Sequence, residues 1–295
     1  MTRSEIFKRI SERSNADLFI FSANVSYPNV DELIHQIRRI KTRKENCIIL
    51  LTTYGGDPDA GFRLVRYVRR KYKKLTLYVF GTCKSTGTLI ALGANEIVIG
   101  DFGEFGPLDI QLTKDDELTN TSGLSYLQSL ISLNERVFSS FEDNFKSLKK
   151  RSTFGYSITT KTAAEIGSKL ATGLIQPIAG QIDPLKLGEV QRAIKIAEAY
   201  GERLLSKKGN NAIKKLIGAY PSHSFVIDFE EVKELFKGTD IEVRMPDEVE
   251  ELLERQLLDF VRLENDPDII LFLDLNDNDN QDETQNTATD EQPAA

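Results

Sequence analysis

The sequence predicts an α/β fold: stacked strand-helix units, then a helical C-terminal half and an acidic tail. Three observations predict it. Two short runs rich in β-branched and other apolar residues, Cys47–Thr53 and Leu75–Phe80, read as buried parallel strands separated by a helical stretch. After Asn120 the apolar spacing becomes helical almost throughout. From about Asn276 the residues are Asn, Asp, Gln, Glu and Thr with almost no apolar side chains. Such a segment buries too little surface to offset the entropy of ordering, so it is expected to be disordered. The division that follows is one domain over residues 1–264 and an acidic, mostly disordered tail over 265–295.

Each element has its own signal. Ser4–Glu12 reads as a short helix and Asp17–Phe21 as a strand. Val30–Lys41 is an amphipathic helix, with Val30, Leu33, Ile34, Ile37 and Ile40 on one face and His35 beside that stripe as an edge residue. Asn95–Gly100 is a further strand, followed by a loop with Gly103, Gly106 and Pro107 as turn formers. Helical patterns cover Tyr126–Lys150, Thr160–Gly173, Leu187–Ser206 and Asn211–Ala219. Asp228 with Glu231 three residues later reads as a capping box for a helix through Phe236. Ile241–Val243 is a short strand, and Asp247 caps a last helix expected to run to Arg262.

Composition bounds the function. Of 295 residues 40% are apolar and 28% charged, which is ordinary for a globular protein with a real core. The net charge of −7 is a property of the tail: from Asp266 onward there are nine acidic residues and no Lys or Arg, which leaves the rest at +2. A near-neutral body argues against nucleic acid as the main partner. The basic cluster Arg63–Lys74 alternates with Leu64, Val65, Tyr67, Val68 and Tyr72 and reads as the solvated face of a packed helix. Two cysteines, Cys47 and Cys83, both in apolar segments, fit reduced buried thiols better than a disulfide scaffold. No run is long enough for a transmembrane segment and the N-terminus lacks a signal-peptide core, so a cytoplasmic location is expected. No ligand spacing suggests a metal and no cofactor motif is present; any ATP dependence would come from a partner ATPase.

The chemistry concentrates in two turns. Gly55 and Gly56 follow the first strand, and Ser85 follows the second, 29 residues after Gly56. Ser85 opens a helix expected over Thr86–Ala94, and a helix start offers free backbone N–H groups to a developing oxyanion. Glycines on the neighbouring turn let another N–H approach the same point, since no Cβ stands in the way. This is the layout of a serine nucleophile with a two-armed oxyanion hole.

The order strand, Gly-Gly turn, helix, strand, GxxxSxG turn, helix resembles the Clp-fold serine peptidases within the wider crotonase-like fold. In detail, KSTGTLIALGANEIVIG, FGPLDIQL, QIDPLKLGEVQRAIKIAEAYGERLL and AYPSHSFVIDFEEV are similar to the serine dehydrogenase proteinase branch, related to signal-peptide peptidase A. The similarity runs over about residues 15–240. It implies Ser85 as nucleophile, Gly56 and Thr86 as oxyanion donors beside Gly55, and a homo-oligomer acting on peptide or protein substrates. The family's histidine position aligns with Asp109 and its aspartate position with His223, so the two are exchanged here. A serine needs a base within hydrogen-bond reach and a third group to orient it, and triads are defined by geometry rather than chain order. Ser85–His223–Asp109 is the expected set. A serine–lysine dyad, as in the signal-peptide peptidase A relatives, is the second option: Lys84 is adjacent to the serine but expected to point elsewhere, and Lys161 is a loose candidate that no motif selects.

The expected activity is peptide-bond hydrolysis through an acyl-enzyme. Two alternatives share the fold: a catalytically silent scaffold that binds peptides or partners, and a crotonase-like acyl-CoA enzyme. The second is disfavoured by the lack of a helix-borne glutamate beside the Ser85 turn.

Overall fold

A computed structural model describes residues 2–108, 111–112, 121–150, 158–205, 209–222, 224–257 and 268–273. The expected α/β class is the class observed. Strand β1 (Ala16–Ser22), β2 (Asn46–Thr52), β3 (Leu75–Val79), β5 (Glu96–Ile99) and β9 (Glu242–Arg244) pair in parallel, and β10 (Ile269–Phe272) closes the β1 edge antiparallel. Four residues from the stretch assigned to the tail thus belong to the sheet. Ile269-Ile270-Leu271-Phe272 is an apolar run long enough for one edge strand, and Phe272 packs on Phe19 with ring centroids 5.1 Å apart.

Period two explains why these strands read as unbroken apolar runs. Phe19, Phe21, Ile49, Leu51, Leu77, Val79, Ile97 and Ile99 point to one face. Leu18, Ile20, Ile48, Leu50, Tyr78 and Val98 point to the other. Both faces are covered, so no position can be polar for solvent's sake. Helices α2 (Tyr27–Arg39) and α3 (Pro58–Lys71) bring Leu33, Ile37, Leu64, Val65 and Val68 to the first face. Helices α1 (Arg3–Ser14) and α10 (Glu248–Gln256) bring Ile6, Ile10, Val249 and Leu253 to the second. The Arg63–Lys74 cluster behaves as its spacing predicts: Leu64, Val65, Val68 and Tyr72 are buried, and Arg66, Arg70 and Lys71 are exposed.

The second half is helical. α5 (Gly123–Lys150) packs along α6 (Thr160–Ala179), which continues past the expected end at Gly173 and carries Pro177 in its last turn. α7 (Pro184–Leu204) returns to the body, where Tyr200 stacks on Phe62 (4.3 Å, 6°) and the Arg203 guanidinium sits 4.5 Å over the Phe62 ring. α8 (Asn210–Gly218) follows. α9 (Phe229–Leu235) is capped by the Asp228 side chain, but the expected reciprocal bond is not made: the Glu231 carboxylate instead accepts from Tyr220 (2.9 Å). The full capping box forms at α10, between Asp247 and Glu250. The described part of α10 ends at Gln256.

A buried ionic cluster ties the second face together. Glu250, fully buried, accepts from both Arg244 terminal nitrogens (2.6 and 2.9 Å), from Arg13 (2.8 Å) and from the Tyr78 hydroxyl (2.5 Å). Glu96 accepts from Arg244 Nε and pairs with Lys74, both at 2.6 Å. Burial alone would raise both carboxyl pKa values, but these donors outweigh it and hold both below the usual range. Groups depressed in the folded state stabilise it above their unfolded pKa and lose that stabilisation as pH falls through the folded value. Stability is therefore expected to fall below about pH 4.5, the ordinary glutamate value. Glu250→Ala, which takes the acceptor from the buried Tyr78 hydroxyl and leaves Arg244 with Glu96 and Arg13 with Asp247, is expected to cost about 1–3 kcal/mol in urea unfolding at pH 7. It should also flatten the acid limb of the stability profile.

Candidate active site

The two turns singled out in the sequence meet at the carboxyl ends of β2 and β3, where α/β sheets place their sites. After β2 the backbone continues through Thr53, which pairs in parallel with Cys83. Thr53 N–H donates to Thr82 O (2.7 Å) and Lys84 N–H donates to Thr53 O (2.9 Å). Thr82–Cys83, strand β4, in turn pairs with β6 (Glu104–Phe105), and Phe105 pairs antiparallel with Ile227. This short ladder carries the chain into Ser85 and α4 (Thr86–Ala91).

Ser85 has φ 50° and ψ −112°, a conformation that non-glycine residues rarely adopt. It precedes α4 yet its side chain makes no cap bond to that helix. A residue held in such a region costs about 1–3 kcal/mol and persists only where its surroundings over-determine it. Here the surroundings are the glycine turn. A Cβ on Gly55 would lie 2.8 Å from Ser85 Cβ, 3.2 Å from its Oγ and 3.1 Å from Lys84 O. Gly55 and Gly56 also have φ of 111° and 139°, which side chains resist. On the far side Val25 grips the same turn: its N–H donates to Gly55 O (2.8 Å), its carbonyl accepts from Asp57 N–H (2.7 Å), and a Cβ on Gly56 would strike that carbonyl.

Hydroxyls fix the two turns to one another. Thr53 Oγ1 accepts from Gly55 N–H (3.0 Å), and Thr86 Oγ1 donates to Gly56 O (2.6 Å). Thr88 Oγ1 donates to Gly106 O (2.7 Å), holding α4 to the following loop. Apart from Thr86, already expected as an amide donor, these threonines went unremarked in the sequence, although the Thr-Thr pair before the glycines was a signal. Among the described residues neither the Gly56 nor the Thr86 N–H donates a hydrogen bond. Gly56 is exposed and Ser85 keeps 7% of its surface accessible.

The structure thus brings together Ser85, Thr86, Gly55 and Gly56. Asp109 and His223 lie outside the described residues. Lys84 is buried and committed elsewhere: its Nζ pairs with Glu104 (2.9 Å) and lies 3.4 and 3.5 Å from the Phe105 and Phe225 carbonyls. Lys161 is exposed in the first turn of α6, a helix that packs on α5. Both cysteines are buried and free, and burial pushes both thiols up in pKa. Among the described residues no group of three or more side chains could hold a metal ion, and no helix is long and apolar enough to cross a membrane.

Gly55→Ala is expected to be destabilised by about 1–3 kcal/mol, from positive-φ strain and collision with Ser85. A lowered thermal midpoint together with lost reactivity of Ser85 would show the coupling of the two turns. Unchanged values for both would refute it.

No protein-family model and no curated protein matches the chain. Solved structures do. The chain is similar to a mutant of the 1510-N membrane-bound stomatin-specific protease at 19% identity and TM-score 0.30, over 52% of this chain and 75% of that one. It is also similar to a second mutant of that protease, in complex with a substrate peptide, at 18% identity and TM-score 0.30, over 82% of this chain and 98% of that one.

Proposed function

We propose that the protein is a serine peptidase of the Clp type, hydrolysing peptide bonds through an acyl-enzyme on Ser85. The observation that carries this reading is the backbone of Ser85, held at positive φ against Gly55, with the next residue, Thr86, bonded through its hydroxyl to the Gly56 carbonyl. A residue needed only for tight packing has no reason to be held in a strained turn, and a glycine would fill that role at lower cost.

In the proposed reaction Ser85 Oγ attacks the scissile carbonyl as a base takes its proton. The carbonyl oxygen becomes an oxyanion that accepts from the Gly56 and Thr86 N–H groups. The protonated base then protonates the leaving amine, and water releases the acyl group by the same steps. His223 is the proposed base and Asp109 its orienting partner. The choice rests on composition: the chain has two histidines, and the other, His35, lies on α2. Lys84 is disfavoured as a base by its bond to Glu104. Self-association and a cytoplasmic setting belong to the same proposal. The self-association surface would be the stripe Ile166, Leu170, Leu174 and Ile178, exposed at four-residue spacing on α6, which a second copy can pair with about a two-fold axis.

Intact-mass measurement after fluorophosphonate treatment tests the reading. One adduct with loss of fluoride is expected on the wild type and none on Ser85→Ala. Peptide hydrolysis should fall by several orders of magnitude in that variant, ~10⁶ in a well-studied protease. His223→Ala should fall nearly as far. A folded wild type that takes no label would shift the reading to a silent scaffold or an acyl-CoA enzyme. Leu174→Glu is expected to lower the assembly size by light scattering without removing the label.

A further inference from the structure

We infer that the groove between α2 and α3 is an anion site whose occupant is the protein's own acidic C-terminal segment, residues 274–295. The groove has a volume of about 560 Å³ and is lined by Arg38, Arg43, Arg63, Arg66, Arg70 and Lys71. Of these six cations, Arg63 is compensated by Asp31 (2.7 Å). Among the described residues no carboxylate lies within ion-pair distance of the other five. Two polar atoms in the same groove, the Tyr67 hydroxyl and Arg43 Nε, are shut from solvent without a hydrogen-bond partner. Arg43 is itself partly engaged: another of its nitrogens donates to the Ile37 carbonyl (3.3 Å), and its guanidinium lies over the Tyr72 ring. Arginine forks favour carboxylates and phosphates, which they can bind in pairs of parallel hydrogen bonds.

Chain geometry favours the protein's own carboxylates over a separate polyanion. β10 lies against α2, where Gln36 donates to Ile270 O (2.9 Å) and Asn29 to Asp268 (2.8 Å). The last described residue is Leu273, whose N–H donates to Leu18 O (3.0 Å). Phe272 and Leu273 line a second cavity, of about 420 Å³, together with Arg39, Lys41 and Lys44. These three cations alternate with Arg38 and Arg43 along one segment, so the two cavities flank the same end of α2. The 22 residues after Leu273 carry seven carboxylates and no Lys or Arg. Extended, they could reach ~70 Å, against a helix width of ~10 Å. The five groove cations that make no ion pair among the described residues face seven side-chain carboxylates tethered within reach, at a high effective concentration. Neither cavity is lined by Ser85, Gly55 or Gly56, so the inference stands apart from the proposed activity.

Carbodiimide coupling of the full-length protein, read by peptide mapping, tests the inference. Lys71 in the groove and Lys41 on the rim should couple to carboxylates between Asp277 and Glu291. The coupling should disappear in half-molar salt and in the full-length R66E/R70E variant. A mixture of isotopically light and heavy protein should give links within one copy. A full-length variant with Asp277, Asp279, Asp282 and Glu283 changed to their amides should bind heparin about tenfold tighter than wild type, since the groove is then vacated. The inference is overturned if tail carboxylates couple no more to Lys71 and Lys41 than to remote lysines such as Lys161 and Lys233. Links only between copies overturn the intrachain assignment, and equal heparin binding by both proteins would mean that the groove serves an external polyanion.

Discussion

The parallel pairing of Thr53 with Cys83 is the contact on which the site depends. Two backbone hydrogen bonds, Thr53 N–H to Thr82 O and Lys84 N–H to Thr53 O, carry the ends of β2 and β3 together after the main sheet has stopped. Every later feature inherits that register. A slip of one residue would turn Ser85 away from Gly55 and move the Thr86 hydroxyl off the Gly56 carbonyl. The glycine pair is the reciprocal condition, because a side chain at either position would push the turns apart or strike Val25. The strain at Ser85 is held by this clamp and by the helix that follows it.

The rest of the molecule supplies rigidity to that point. Two-sided burial makes the central strands poor candidates for local opening, since each is packed from both faces. The second face adds the Glu250–Arg244–Glu96 cluster. Such a cluster is weak evidence for net stability but fixes the orientation of α10 and β9 against the sheet. On the first face, Arg69 donates to the carbonyls of Gly93 and Leu204 (2.8 and 3.0 Å), joining the end of α4 to the end of α7. The helix that begins at the serine is therefore fixed at both ends.

Much of this was legible in the sequence for identifiable reasons. Cys47–Thr53 and Leu75–Phe80 announced themselves because doubly buried strands have no polar alternation, and the Gly-Gly and Ser turns stood at their ends. Asp247 and Asp228 marked helix starts because an N-cap is a local interaction. What was not legible depended on contacts distant in sequence. Glu231 looked like the partner of its own N-cap, and only the fold reveals Tyr220 as its donor. Lys84 was expected to point away from the serine, but its partner Glu104 is visible only in the fold. Ile269–Phe272 sat inside an acidic stretch, and composition averaged over that stretch hid a four-residue strand. The groove cations come from α3, α2 and the segment after α2, which are apart in sequence, so the Arg63–Lys74 cluster read alone showed only a solvated face.

The proposed oxyanion hole consists of two amides, Gly56 and Thr86, which would converge on the oxygen that develops at Ser85. Amide ¹H–¹⁵N shifts of these residues, recorded before and after phosphonylation of Ser85, measure that convergence directly. Both resonances should move downfield as each N–H begins to donate to the phosphonyl oxygen, while amides elsewhere in α4 stay in place. A phosphonylated protein in which neither amide moves would contradict the two-armed arrangement and leave Ser85 reactive for some other reason.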